Sequence, residues 1–444
     1  MLEDRLRVRQ TENGFFRCSP LGKVLIARSE CGITKARRCD SALIFSRMGG
    51  IRISVTVKDP SSKQLKVVLV HTRAMWYRLP FFRTLAQLYD LTIYFTDTDS
   101  VCGLEGVNYE VLRRYLKNWR SISKVLGDLA LLGLIPRLLS KNYDVVVGSL
   151  FDPTTFFIAK IRRKPFILWS ETWHFSERES FAFRLLKPVF RFLILHSDAI
   201  LVPSQMFKEE TILLGAPKNK TFVMPNASNV YVAASDYSKA KELRIELGLN
   251  EKRGILYVGR LVESKGVQYL IEAFAKLAAE RDDIALICVG DGPFRERLQS
   301  LCKELHVEGR VHFTGRVDLD IERNKHLVPY YLWSDVCVVP SIFLRGMPEP
   351  WALVVNEAMA CGKAVIATTA VAAAHAMIKN GINGFIVPEK DGGALYAALK
   401  AVLADPATAE AMGEASKKVI EAGFTYSHMV SGFQSAISTL TRAD

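Results

Sequence analysis

The feature that most constrains this chain is a regular alternation of short apolar runs with longer segments of helical character. The first run, Lys66-Val-Val-Leu-Val-His71, is apolar at every interior position, as in a parallel strand covered on both faces. Alternating strands and helices predict a parallel, doubly wound sheet. The alternation begins again near residue 254, after a charged helical connector at residues 235–253. The sequence therefore predicts an α/β protein with two doubly wound domains.

These domains have predictable limits and a predictable site. We place the first domain at residues 66–240, the second at residues 241–425 and a C-terminal helix at residues 426–444. Ligands of doubly wound sheets bind outside the carboxyl ends of the strands. Two such sheets that face each other form a deep cleft, where we expect the active site.

Residues 1–65 do not share this pattern. They are rich in Arg, Lys, Ser, Gly and Cys and lack a clear period, apart from a β-like run from Ile51 to Val57. Two interpretations are open: a functional basic tail, or sequence upstream of a true start at Met48. We expect an N-terminal extension that is disordered or lies upstream of the true start.

Charge and cysteine usage narrow the partners and the compartment. The net charge is +13, with 38 Lys and Arg against 23 Asp and Glu in residues 1–250 and 21 against 23 in residues 251–444. A basic half indicates an anionic partner, the alternative being an ordinary solvated surface. The eight cysteines form no C-x-x-C pair, and Cys288, Cys337 and Cys361 are expected in the core, which favours a reducing cytoplasm. No apolar run reaches 18 residues and no secretory leader is visible, so no transmembrane helix is predicted.

Two cations lie where a predicted strand gives way to a helix. Val258-Gly-Arg260-Leu ends the strand, and Lys265-Gly266 opens the helix. The N-terminus of a helix attracts anions through its free N–H groups and its dipole. Arg260 offers a planar fork and Lys265 a compact charge, so the pair suits a diphosphate. A surface pair that caps a loop is the alternative.

Glycine turns follow two further strands of the second domain. Gly290-Asp-Gly292-Pro293 begins a helix, and Phe313-Thr-Gly315 ends a strand on the same rim. Glycine permits tight turning and close approach of the backbone to a ligand. Each motif alone is only a turn. Together they predict backbone contacts to the ligand that Arg260 and Lys265 bind.

Two carboxylates are spaced along the segment from Pro348 to Gly362. Glu349 precedes a predicted helix and Glu357 lies within it. Eight helical residues rise roughly 12 Å and rotate a side chain by about 80°, so both carboxylates can face different ends of one ligand. Carboxylates accept hydrogen bonds from hydroxyls, such as those of a hexose and a ribose joined through a diphosphate. The alternative is an N-terminal cap (Glu349) and an exposed helical side chain (Glu357).

In their order and spacing, these motifs resemble those of the retaining glycosyltransferases of family 4, which have the GT-B fold. The resemblance covers residues 254–425 closely and residues 66–229 more loosely. It implies two Rossmann-like domains that face a central cleft, an acceptor-binding domain followed by a nucleotide-sugar-binding domain. It also implies sugar transfer from a nucleotide-sugar donor with retention of configuration.

The same resemblance assigns roles to the donor-site residues. Arg260 and Lys265 would hold the donor diphosphate, Glu357 the ribose, and Glu349 with nearby backbone amides the transferred sugar. Ala352 departs from the family, which usually has glycine there, and its methyl group is expected to narrow the sugar subsite. Two other motifs differ, at His71–Tyr77 and at Asn226–Asn229.

The first domain contributes two further catalytic candidates. Glu171 and His174 follow the strand predicted at residues 165–169, where family members often place a His or an acid that faces the transferred sugar. A loop histidine with local hydrogen bonds is the alternative for His174.

Metal and rival functions can be weighed from the same residues. We predict no essential metal, because Arg260 and Lys265 can neutralise the diphosphate, and we interpret Asp97-Thr-Asp99 as a loop. A nucleotide-sugar epimerase of the same fold remains an alternative, as does a basic membrane- or nucleic-acid-binding protein without catalysis. A nicotinamide dehydrogenase is disfavoured because G-x-G-x-x-G is absent. Without a nucleic-acid-binding motif, no nucleic-acid partner is predicted.

Basic and apolar residues are mixed in two segments of the first domain, residues 111–141 and 181–195. A helix with an apolar and a cationic face can lie in the headgroup layer of an acidic membrane. Core-facing helices whose cations reach water are the alternative. We favour the membrane, and predict a cytoplasmic protein peripheral to its inner face with a lipid-linked or amphipathic glycan acceptor.

Overall fold

The structure is a computed structural model. It describes residues 42–48, 51–57, 64–96, 102–112, 133–171, 181–228, 230–317, 323–344 and 347–441. His174, Asp97 and Asp99 lie outside these ranges, as does most of the amphipathic segment at residues 111–141.

The described residues before Gln64 form a unit by themselves. In it, β1 (Ala42–Met48) and β2 (Ile51–Val57) pair antiparallel, with Met48 opposite Ile51. Strand β2 coincides with the predicted β-like run.

The first domain is built on a seven-stranded parallel sheet of order β5-β4-β3-β6-β7-β8-β9. Its strands are β3 (Lys66–His71), β4 (Asp90–Phe95), β5 (Asn108–Val111), β6 (Val145–Ser149), β7 (Phe166–Trp169), β8 (Ala199–Val202) and β9 (Thr221–Val223). The helices described in it are α1 (Leu79–Leu88), α2 (Leu134–Ser140), α3 (Pro153–Ile161), α4 (Phe181–His196) and α5 (Gln205–Leu213), with 3-10 turns at Trp76–Arg78 and Lys218–Lys220.

The second domain is built on a six-stranded parallel sheet of order β12-β11-β10-β13-β14-β15. Its strands are β10 (Arg253–Val258), β11 (Ile284–Val289), β12 (Val311–Gly315), β13 (Val336–Val339), β14 (Ala364–Thr368) and β15 (Gly384–Val387). The helices that follow α5 are α6 (Ala234–Glu246), α7 (Val267–Ala278), α8 (Arg295–Glu304), α9 (Arg323–Trp333), α10 (Leu353–Ala360), α11 (Ala372–Met377), α12 (Gly392–Val402), α13 (Pro406–Gly423) and α14 (Tyr426–Thr441), with 3-10 turns at Glu263–Lys265 and Glu308–Arg310.

Both sheets are covered by helices, and this explains the composition of their strands. Every residue of β11 and β13 is buried, so these strands are apolar throughout rather than alternating. Aspartates fix the first turn of three helices by accepting a backbone N–H: Asp152 before α3, Asp391 before α12 and Asp405 before α13. The predicted pair of doubly wound domains is thereby confirmed.

The last helix returns to the first domain. Side chains of α14 join the same apolar cluster as β3 and α1, and the ring of Phe433 lies 5.9 Å from that of Phe81. A Cβ atom on Gly432 would stand 2.3 Å from the carbonyl oxygen of Val223, so α14 lies directly against β9.

Candidate active site

The carboxyl edges of the two sheets face each other. Trp351 follows β13 and Asn226 follows β9, and Asn356 on α10 connects them. The Trp351 Nε1–H donates to Asn356 Oδ1 over 2.8 Å, and Asn356 Nδ2 donates to the carbonyl oxygen of Asn226 over 2.9 Å. The ring of Trp351 also lies 6.2 Å from that of Phe207 in the first domain. These contacts join residues that follow the carboxyl ends of β9 and β13, the kind of edge at which ligands of such sheets bind.

Two of the predicted glycine turns are packed against the loop that carries Arg260. The Leu261 N–H donates to the carbonyl oxygen of Asp291, and the Gly290 N–H donates to that of Gly315. Gly290 has φ +136°, and a Cβ atom there would lie 1.8 Å from the carbonyl oxygen of Gly259. Only glycine permits this close approach of the two loops. A Cβ atom on Gly292 would lie 2.3 Å from the carbonyl oxygen of Leu261.

Lys265 and Glu349 are brought together at this edge. Lys265 ends the 3-10 turn before α7, and its Nζ forms an ion pair with the Glu349 carboxylate. Both side chains are about one-fifth exposed, so the pair lies at the cleft surface. The backbone of Glu349 is fixed by a hydrogen bond to the carbonyl oxygen of Ala370. Arg260 is exposed, and its backbone carbonyl oxygen accepts a 2.8 Å hydrogen bond from the Tyr257 hydroxyl.

Helix α10 begins later than a cap at Glu349 would require. Its N-cap is Ala352, with φ +64° and ψ +81°, so the interpretation of Glu349 as a helix cap is wrong. A left-handed conformation costs a non-glycine residue of the order of 1 kcal/mol. The family's usual glycine at this position is therefore explained by backbone geometry, and this chain keeps the geometry with an alanine.

Glu357 lies deeper than its predicted role requires. Its residue is 1% exposed, and its carboxylate accepts a 2.6 Å hydrogen bond from the Tyr331 hydroxyl. Burial and this carboxylate both raise the pKa of Tyr331, which stays protonated and donating. The interpretation of Glu357 as an exposed helical residue is wrong. Its contact with a ribose stays a prediction that needs the carboxylate to be uncovered.

In the first domain, Glu171 follows β7 at the cleft edge. Its carboxylate pairs with Arg78, whose side chain is 3% exposed and whose guanidinium lies 4.8 Å from the centre of the Trp169 ring. The predicted partner His174 lies outside the described residues. Glu171 is thus held by a buried cation, an arrangement that fixes its position.

Sequence reasoning missed a histidine at the same edge. The partly buried His71 ends β3, and its ring lies 5.1 Å from that of Trp169. Desolvation and the neighbouring Arg78 lower the pKa of His71 to about 4, so the imidazole is neutral near pH 7. Its position at the carboxyl end of a buried strand was the signal that could have identified it.

The described residues bear on two of the predictions, the absence of a metal site and the absence of a transmembrane helix. Among the described residues, no group of three or more His, Cys, Asp or Glu is placed to hold a metal ion. Within those same ranges, no helix combines the length and the apolar character that crossing a membrane requires.

Comparisons with known proteins identify the family of this chain. The family model described as Glycosyl transferases group 1 matches residues 239–419, and the model described as Glycosyltransferase Family 4 matches residues 81–230. The chain belongs to this group of GT-B glycosyltransferases. The first match contains the Lys265–Glu349 pair and the second contains Glu171.

Individual relatives agree at lower coverage. An uncharacterized glycosyltransferase of Methanocaldococcus jannaschii is 32% identical over 47% of this chain and 52% of its own length. The GDP-mannose-dependent phosphatidylinositol monomannoside α-(1-6)-mannosyltransferase of Mycolicibacterium smegmatis is 32% identical over 41% and 47%. The chain thus spans about half the length of these curated relatives.

A solved structure supports the fold. The structure of Anabaena HepE in complex with UDP and glucose aligns with a TM-score of 0.66 at 18% identity, covering 85% of this chain and all of that one. At this identity the likeness concerns the fold alone, and it agrees with the two facing domains.

Proposed function

We propose that this protein transfers a sugar from a nucleotide-sugar donor to a glycan acceptor with retention of configuration. The observation that carries the proposal is the Lys265–Glu349 pair, a cation and a carboxylate held side by side at the carboxyl edge of the second sheet. Lys265 and Arg260 would hold the diphosphate, and Glu349 would accept hydrogen bonds from the sugar hydroxyls. The adjacent turns of Gly290, Gly292 and Gly315 would offer backbone groups to the nucleotide.

No metal is needed in this scheme. Two cations suffice to neutralise a diphosphate, with Arg260 exposed and ready to turn toward it. Glu171 and His174 would face the sugar from the first domain. Retention of configuration is what the resemblance of the sequence motifs to those of retaining enzymes implies.

The acceptor is proposed to be lipid-linked, and the protein to work at the cytoplasmic face of a membrane. Support comes from the excess of basic residues in the first half of the chain. A relative whose name specifies a phosphatidylinositol-linked acceptor points the same way.

A donor panel tests the proposal. Thermal unfolding with UDP, UDP-glucose and GDP-mannose, in buffer containing EDTA, is expected to show stabilisation by one nucleotide sugar, because a ligand bound to the folded state raises its stability. The new linkage, examined by NMR with the identified donor, is expected to keep the donor's anomeric configuration. An inverted linkage contradicts retention, and conversion of the donor without any acceptor identifies an epimerase instead.

A further inference from the structure

One face of the first domain presents bulky apolar side chains to water. Ile161 at the end of α3 is 74% exposed, Phe157 on the same helix is 47% exposed, and Phe192 on α4 is 42% exposed. Large apolar residues that are exposed singly are common, whereas a contiguous group marks an interaction site. We call these three side chains the α3–α4 patch.

The patch is contiguous and preformed. The rings of Phe157 and Phe192 are stacked with centres 6.4 Å apart and planes inclined by 18°. Phe192 also meets the buried Phe156 edge-on at 5.9 Å and stacks on His196 at 4.1 Å. Because the aromatic rings hold one another in place, little side-chain entropy is lost when the patch is covered.

Positive charge surrounds the patch. Lys187, Pro188, Arg191, Phe192 and Leu195 line an open groove of about 440 Å³ on α4. Neither α3 nor α4 contains an Asp or Glu residue, and Arg162, Arg163 and Lys164 follow α3 directly. An apolar centre with a cationic rim and no acidic residue on its two helices is the chemistry of a surface that rests on anionic lipid.

We propose that the α3–α4 patch and the groove beside it are the surface by which this protein docks on an anionic phospholipid membrane. Phe157, Ile161 and Phe192 insert among the acyl chains, while Lys187 and Arg191 contact lipid phosphates. This inference deepens the proposed function and rests on it for the purpose of docking, which is access to a lipid-linked acceptor.

Charge also separates this occupant from a second copy of the chain. A twofold dimer through this face would place the same cationic helix on both sides of the interface. Like charges at such close range cost several kcal/mol unless acids intervene, and α3 and α4 supply none. An anionic membrane presents charge opposite to that of Lys187 and Arg191.

The position of the patch also suits the proposed acceptor. Phe151, which is 51% exposed, follows β6 at the carboxyl edge and lies 5.5 Å from the Phe190 ring of α4. An exposed aromatic ring thus lies at the carboxyl edge of the sheet, just before the helix that carries Phe157 and Ile161. A lipid-linked sugar reaches that edge while its lipid stays in the membrane.

Flotation with vesicles tests the surface. The full chain is expected to float with vesicles that contain phosphatidylglycerol and to stay behind with pure phosphatidylcholine or at high salt. Each cation near anionic lipid contributes about fivefold to binding, so Lys187→Glu with Arg191→Glu is expected to weaken it about 25-fold or more. Phe157→Gln with Ile161→Gln removes the inserted side chains and is expected to weaken binding at least about tenfold.

Matched variants at sites far from the patch control for general charge and hydrophobicity. Lys276→Glu with Lys303→Glu changes two exposed cations of the second domain, and Ile382→Gln removes a second-domain side chain that is 58% exposed. These variants are expected to float like the parent chain. Equal losses in patch and control variants, or no flotation of the parent chain, would overturn the proposal.

Two further measurements separate the possible failures. Binding of UDP-glucose and of GDP-mannose by calorimetry is expected to be equal in the patch variants and the parent chain. Absence of binding with both donors in all of these proteins contradicts the proposed donor site and not the membrane surface. A sedimentation shift to a smaller species in the patch variants, with vesicle binding unchanged, assigns the face to a second copy and overturns the membrane docking.

Discussion

Two anionic groups, the Glu349 carboxylate and a donor diphosphate, would compete for the Lys265 ammonium. It is paired with Glu349, and a donor diphosphate would need the same three N–H donors. Both acceptors are anionic, so a diphosphate that takes the ammonium also releases the Glu349 carboxylate for the sugar hydroxyls. Binding of the two ends of the donor is therefore coupled through one side chain.

The donor cations give the first prediction. Lys265→Ala and Arg260→Ala are each expected to weaken nucleotide-sugar binding by about ten- to a hundredfold, because a charge-assisted hydrogen bond contributes roughly 1.5–3 kcal/mol. Isothermal calorimetry with the donor that stabilises the parent chain measures the change. Lys303→Ala, an exposed lysine in the same domain, is the control. Unchanged affinity in either donor-site variant rules out its assigned role.

Glu349→Gln is the second prediction. It keeps the side-chain shape and removes the charge, so we expect turnover to fall at least about a hundredfold while the free energy of unfolding changes by less than about 1 kcal/mol, since the ion pair is partly solvated. Donor affinity is expected to hold or rise, because Lys265 is freed for the diphosphate. Steady-state kinetics and urea unfolding test both parts, and full activity with reduced stability points to a purely structural pair.

At the scale of elements, the first turn of α3 carries a titratable cap. Asp152 is 6% exposed and accepts hydrogen bonds from the N–H and hydroxyl of Thr155. Burial outweighs these bonds and raises the pKa of Asp152 to about 6. The folded chain therefore keeps a proton between about pH 4 and 6 that the unfolded chain has released.

The sign of the third prediction follows from that proton. Where the folded state binds more protons than the unfolded state, the free energy of unfolding falls as pH rises. We therefore expect the raised pKa of Asp152 to lower the free energy of unfolding by about 2–3 kcal/mol between pH 4 and 6. Asp152→Asn keeps the cap and cannot ionise. Urea unfolding of both proteins across this range is expected to give curves that diverge as pH rises, with the variant more stable. Parallel curves contradict the raised pKa.

Helix α3 is also an example of an element that the sequence did not predict. Apart from β1 and β5, which were not predicted, the strands were predicted to within one or two residues, because burial on both faces makes runs such as Ile284–Val289 apolar throughout. Helix α3 has no counterpart among the predicted elements, since Pro-Thr-Thr-Phe-Phe-Ile-Ala-Lys-Ile lacks the apolar period of a surface helix. It lacks that period because Phe157 and Ile161 break it on the solvent side. Phe157 and Ile161, which obscure the helical period in the sequence, are also the side chains that we propose to insert into the membrane.

The site was predictable at the level of loops and not of side chains. Lys265 and Glu349 were placed at one sheet edge because consecutive strands of a parallel sheet end together. Glu357 was expected at the ligand, yet it is buried against Tyr331, a residue on α9 that no motif marked. The bridging role of Asn356 was also missed, although a polar residue in Leu353-Val-Val-Asn-Glu was its signal. Such contacts depend on how the two domains meet, which sequence periods do not encode.

At the scale of the whole molecule, the Asn356 amide joins the donor-side segment to the first domain. Asn356→Leu leaves the Trp351 Nε1–H and the Asn226 carbonyl without this partner in a buried place, so we expect a loss of about 2–4 kcal/mol in the free energy of unfolding. We also expect turnover to fall more than donor affinity. The exposed Asn142 provides a control through Asn142→Leu. Equal stability of the two variants contradicts the bridge.

Because α14 packs on the first sheet, the core of the first domain can be completed only after the end of the chain has been synthesised. The core around Phe81 and Val67 includes Met429 and Phe433, which the ribosome adds roughly 200 residues after β9 is complete, on the order of 10–40 s later. Until then the nascent first domain carries an uncovered apolar face, a natural binding place for chaperones. A chain cut before Tyr426 loses part of its first domain, even though the cut lies in the second.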